Sequence, residues 1–195
     1  MNLVAHQLLS FNQPEIQVGN HLGDVIKGRR LSNFPHEIQK GILLHRHIDS
    51  FTDSHPVVKR SCARLYEDYG KYAPIIVDIF YDYFLIKNWG KFCKKDFNTF
   101  RKECYKVLLA YKELYPEPYR HYTELLAKRD WFYQYSTMEG VELTLNKLGS
   151  RTRFFNNMHM AVKSLYVDEA LFNKDFLEFY PELEQSCREF LKLSA

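Results

Sequence analysis

A chain of 195 residues with 46% hydrophobic and 26% charged side chains is long enough to bury a core and too apolar to be disordered. Its formal charge of +3 is too small to indicate a nucleic-acid partner, and no apolar run approaches the roughly 20 residues that span a bilayer. Its cysteines (Cys62, Cys93, Cys104, Cys187) form no C-x-x-C pair, and the opening MNLVAHQLLSF lacks the basic start and cleavage site of a signal peptide, so a reducing cytoplasm is expected.

Periodicity is helical nearly throughout. Residues 14–28 place Ile16, Val18, Leu22, Val25 and Ile26 at steps of mostly three and four, with Gly28 as the stop. Pro35 and Glu37 mark the next start. Ile38, Ile42, Leu43, Leu44 and Ile48 carry that apolar face onward, and Pro56 ends or bends the helix and opens another with Val57 and Val58. A further helix covers 74–89, PIIVDIFYDYFLIKNW. Asp96 is the expected N-cap of FNTFRKECYKVLLAYKELY, which Pro116 and Pro118 terminate. YRHYTELLAKR, STMEGVELTLNKLGSR and KDFLEFYPELEQSCREFLKL read the same way, with Pro181 kinking or dividing the last. Strand signals are nearly absent, and no repeat, linker or composition break marks a second domain. The expected fold is therefore all-α: one domain over 1–195, a bundle of about eight helices.

The polar residues interrupt this pattern at helical spacing. Residues four apart differ by about 40° in direction, so His45, Asp49 and Asp53 form one ladder. Asp78 and Asp82 repeat the arrangement inside an apolar run, and Asn20 and Asp24 form a third pair. Buried carboxylates without counter-charge are costly, and a divalent cation offsets the desolvation of several at once. Mixed His and Asp ligands suit Mn²⁺, Fe²⁺, Zn²⁺ or Mg²⁺, with imidazole tilting the choice away from Mg²⁺. Plainer readings stand beside this one. Asp53 could cap the helix at Pro56, Asn20 and Asp24 could be a solvated face, and Asp82 could pair with an arginine. His47 lies about 200° from His45 on the helix and is expected at the surface.

In order and spacing, MNLVAHQLLS, VGNHLGDVIKG, GILLHRHIDSFTDSHP and APIIVDIFYDYFLIKNW resemble the acyl carrier protein phosphodiesterases, and LGSRTR and FLEFYP extend the match over nearly the whole chain. The resemblance implies an all-helical fold distantly related to the HD-domain metal-dependent phosphohydrolases. It also implies a Mn²⁺-preferring enzyme that removes 4′-phosphopantetheine from a serine of holo acyl carrier protein. The residues matching its motifs are His6, Asn20, Asp24, His45, Arg46, Asp49, Thr52, Asp53, Asp78, Asp82 and Trp89. HD enzymes usually show adjacent His and Asp, whereas Ile48 separates His47 from Asp49 here, so the HD ligand roles do not transfer literally.

Combined with the spacing, the resemblance makes Asp24, His45, Asp49 and Asp78 the expected metal ligands. His6 or Asp82 is expected to transfer protons, with His6 the first choice as general acid. Arg46, Arg151 and Arg153 are candidate phosphate partners, along with Asn20 and Asp53. An acidic carrier protein further calls for a basic face, for which KGRR at 27–30, KKD at 94–96, Lys87 and Lys91 are candidates. Two other classes share these residues: a metal phosphohydrolase of small nucleotides or phosphoesters, and a non-catalytic helical module with a structural metal.

Overall fold

The computed structural model describes residues 1, 3–154 and 156–193, apart from the side chain of Arg29; the Arg29 part of the basic-face expectation thus lies outside the described residues. In chain order the helices are α1 (Leu3–Leu8), α2 (Pro14–Leu22), α3 (His36–Ser54), α4 (Pro56–Ala63), α5 (Tyr66–Tyr69), α6 (Ala73–Lys87) and α7 (Trp89–Phe92). They continue with α8 (Phe97–Ala110), α9 (Glu117–Lys128), α10 (Trp131–Gln134), α11 (Met138–Arg151), α12 (Ala161–Val167) and α13 (Glu169–Leu191). No strand occurs among the described residues, and the fold is all-α as expected. Eight of these helices are eight residues or longer; the other five, α1, α5, α7, α10 and α12, are too short to leave a periodic signature. The cysteines are all free, and no described helix is long and apolar enough to cross a membrane.

The punctuation acts mostly as its chemistry dictates. Pro14 and Pro56 sit at helix starts, and the Asp96 carboxylate accepts from Thr99 N at 3.0 Å to cap α8. Two expectations need correction. The helix begun at Pro14 stops at Leu22 rather than near Gly28, because the amides of Val25 and Ile26 both turn back to the Leu22 carbonyl. Pro181 does not divide the last helix, since the buried Phe179, Tyr180 and Leu183 hold α13 together on both sides of it.

Apolar on nearly all sides, α6 is the central helix of the larger core. Its Phe80 and Phe84 meet Phe172 and Phe176 of α13 at ring separations of 5.3 and 6.3 Å. Asp175, 1% exposed on α13, is held by Arg60, Arg64 and Ser61 of the α4 region, so its burial is compensated. A second cluster, including Val18, Leu22, Ile38, Ile42, Tyr115 and Tyr119, ties α2 and α3 to α9. Within it His21 bonds Thr123 Oγ1 at 2.8 Å.

The contact of α2 with α3 sets the position of the site. A Cβ on Gly19 would lie 2.1 Å from the Ile38 carbonyl oxygen, and one on Gly41 would lie 2.4 Å from that of Ile16. Only hydrogen fits at either crossing position. Gly41→Ala is accordingly expected to destabilise the fold by about 1–3 kcal/mol, read from denaturant unfolding.

Burial, reinforced by the charges that His45 and His6 can carry, lowers the pKa of His21 from the usual 6.5 to about 3. The unfolded chain therefore takes up a proton below pH 6.5 that the folded chain refuses. The stability associated with the neutral ring is full above pH 6.5 and is lost as pH falls toward 3. Thermal midpoints should fall over that window, and His21→Gln should flatten part of the decline.

Candidate metal centre

Three ligand atoms converge where α1, α2 and α3 meet. One ring nitrogen each from His6 and His45 and an oxygen of Asp49 all lie within 4.8 Å of one another. The two imidazoles are 6% exposed and stack at 4.3 Å. His6 Nε2 stands 3.3 Å from Asp49 Oδ1, and His45 Nε2 stands 3.1 Å from Asp49 Oδ2. Asp24 follows the end of α2 and brings Oδ1 to 3.6 Å from His45 Nε2. An open cavity of about 340 Å³ over the cluster is lined further by Met1, Leu3, Asp53 and Asp78.

The orientation of His6 is set from behind. Asn20 Nδ2 donates to the His6 carbonyl at 2.8 Å and to Ser10 Oγ at 3.1 Å, which turns Asn20 Oδ1 toward His6 Nδ1 at 2.7 Å. Nδ1 therefore carries the hydrogen of the neutral ring and Nε2 points its lone pair into the cavity. Burial first, and then the neighbouring His45, lower the pKa of His6 against the pull of Asp49. At Asp49 burial opposes ionisation, but hydrogen bonding with His45, and with His6 when its ring is protonated, outweighs it and holds the carboxyl well below its usual range. A lone pair and a carboxylate oxygen at 3.3 Å repel unless a cation or a proton lies between them. The donor set, two imidazoles and a carboxylate with more carboxylates around them, fits a divalent transition metal.

The other expected residues fall into distinct places. Asp24, Asp53 and Asp78 reach the same cavity but stand outside the three-residue cluster. Asp78 accepts from the Met1 ammonium at 2.9 Å. Asp53 does not cap α4: the His55 ring accepts from Val57 N instead, leaving Asp53 exposed with its pKa raised by partial burial and by Asp78. Asp82 is 0% exposed and accepts from the Val4 and Ala5 amides at 2.8 and 3.1 Å, so it anchors the first turn of α1 rather than pairing with an arginine or reaching the cavity. Burial raises its carboxyl to about 7.

Asn20 is fully buried with both ends of its amide engaged, so it serves His6 and is unavailable to phosphate. Arg46 donates to the Ile26 carbonyl at 3.0 Å and secures the loop after α2 instead of entering the cavity. His47 is not a plain surface residue; its Nε2 meets Ser186 Oγ at 2.8 Å and its ring stacks on Phe190. Arg151 lines a neighbouring cavity, while Arg153 is exposed and lines neither.

Gly23 was not legible as part of the site. A Cβ there would come within 2.2 Å of His45 Cγ, so the glycine leaves room for the ring. Its sequence signal is a glycine one residue before Asp24, within the stretch VGNHLGDVIKG, with no proline beside it to mark a turn.

These features define an all-α protein whose His–His–Asp cluster is able to hold a metal ion. The chain belongs to the acyl carrier protein phosphodiesterase family, which it matches over residues 1–183. It is 26% identical to the "Acyl carrier protein phosphodiesterase" of Escherichia coli O6:H1 (strain CFT073), over 98% of this chain and 100% of that one. The same identity links it to the protein of that name from Shigella boydii serotype 18, over 94% and 95% of the two chains. No solved structure matches.

Removing the support behind His6 should show in metal affinity. Asn20→Ala, folded by circular dichroism, is expected to bind Mn²⁺ about 10–100-fold more weakly than the parent chain in calorimetric titration.

Proposed function

We propose that the chain is a metal-dependent phosphodiesterase that cleaves the bond between 4′-phosphopantetheine and the serine of holo acyl carrier protein, leaving the apo form. The observation that carries this reading is the convergence of His6 and His45 on Asp49 at 3.3 and 3.1 Å, in a chain that matches the family over residues 1–183. His6, His45 and Asp49 would hold the metal, with Asp24 the nearest further carboxylate. Mn²⁺ suits imidazole and carboxylate donors together. When bound, such an ion polarises a phosphoryl oxygen and makes a nucleophile from water at neutral pH.

The protein's own residues account for the rest. His6 serves as a ligand rather than as the general acid, because its Nδ1 hydrogen is committed to Asn20 and only Nε2 faces the cavity. Asp53, exposed and lining the same cavity, is the better placed proton donor to the leaving serine oxygen. Lys27 and Arg30 are exposed on the turn after Asp24 and have no carboxylate partner among the described residues. They are suitably placed to meet an acidic carrier protein. Lys87 and Lys95, by contrast, are already paired with Glu169 and Glu103.

Holo carrier protein incubated with the Mn²⁺-loaded enzyme should lose its phosphopantetheine, as read by intact mass; an unchanged mass with folded, metal-loaded enzyme would overturn the assignment. Raising ionic strength should reduce kcat/KM on carrier protein, and Arg30→Glu should reduce it further at low salt. Hydrolysis of bis(p-nitrophenyl) phosphate should respond to neither.

A further inference from the structure

A second cavity of about 130 Å³ adjoins the first, with Leu3 of α1 lining both. Tyr122, Trp131 and Leu148 give it apolar walls, and Thr144 adds a hydroxyl. The Tyr122 and Trp131 rings meet edge to face at 5.2 Å. Tyr122 lines this second cavity, and burial first, then the Asp24 carboxylate, push its hydroxyl up to about 12. Trp131 is fixed at the start of α10 by Asp130, which takes a left-handed φ of 50° and is held by Tyr105 Oη at 3.0 Å and by Arg101.

One feature of this cavity has no internal explanation. The Trp131 indole N–H is buried and has no hydrogen-bond partner among the described residues. Buried indole donors normally find an acceptor, and an unmet one costs roughly 1–3 kcal/mol. Arg151 and Lys147, at the same cavity, have no carboxylate partner among the described residues. The site thus offers apolar walls, one buried donor and uncompensated positive charge, immediately beside the cluster that would engage a phosphate.

We propose that this cavity binds the branched segment of pantetheine that follows its phosphate, and so selects the substrate; the inference rests on the function proposed above. That segment carries a carbon with two methyl groups, then a hydroxyl-bearing carbon and an amide carbonyl. The methyls pack against Leu3, Leu148 and the Tyr122 ring, the carbonyl accepts from Trp131 Nε1, and the hydroxyl meets Thr144. Arg151, on the lining of the same cavity, supplies positive charge beside the phosphate. The volume suits a group of this size, since a dry cavity of about 150 Å³ holds benzene. A ribose with its base has no such methyls to place there, so the cavity distinguishes this phosphodiester from those of nucleotides.

Trp131→Phe keeps the ring and removes the donor. It is expected to raise KM for holo carrier protein about tenfold with kcat unchanged. Carrier protein loaded with a pantetheine lacking the two methyls should be cleaved about tenfold less efficiently by the parent enzyme. Equal efficiency on the two carrier proteins, or an unaltered KM in Trp131→Phe, overturns the inference while the phosphodiesterase assignment stands. So does a Trp131→Phe defect that follows the length of an attached acyl chain instead of the methyls. Should holo carrier protein not be cleaved at all, the functional reading falls, and fluorescence decides the cavity separately. Free 4′-phosphopantetheine should then quench indole emission saturably in the parent chain and not in Trp131→Phe; absence of quenching in the parent overturns the inference.

Discussion

The site depends on how closely α2 and α3 approach. Gly19 and Gly41 let the two backbones touch, and no side chain larger than hydrogen fits at either position. That contact places Asn20, Gly23 and Asp24 opposite His45 and Asp49. A wider crossing would part Asp24 from His45 and remove Asn20 from behind His6. Backbone packing of this kind is stiff, because it lacks the rotamers through which side chains accommodate a misfit.

Polar groups around the centre are costly to bury and are matched one by one. Asn20, Ser10 and the His6 carbonyl satisfy each other, and Asp82 accepts two amides of α1. Each pair lies between elements far apart in the chain or joined by a loop, so it rewards one arrangement of those elements over near alternatives. The outer carboxylates, Asp53 and Asp78, face a partly open cavity, where water can serve them.

Much of the fold was readable in the sequence because the long helices carry an apolar stripe with proline and capping residues at their ends. The ladder of His45 and Asp49 followed from spacing alone. His6 did not: it lies on a six-residue helix, too short to show periodicity, and only the family resemblance pointed to it. Asp78 and Asp82 looked alike in the sequence, both embedded in an apolar run, yet one reaches the cavity and the other holds α1. That difference depends on what packs against α6 from the start of the chain, which spacing within one helix does not encode. Asn20 likewise read as a surface or phosphate-binding residue, because its partners lie on another element.

The anchoring of α1 has an energetic corollary. Six residues are far too few to persist as an isolated helix in water, so α1 exists because Asp82 takes its first amides and because the core covers Val4 and Ala5. His6 reaches the centre only while that docking holds. Any ligand that gains free energy from His6 therefore adds to the docking of α1 and favours the ordered state of the chain's first turn by mass action. Occupancy of the centre and order at the start of the chain are thus two readings of one equilibrium.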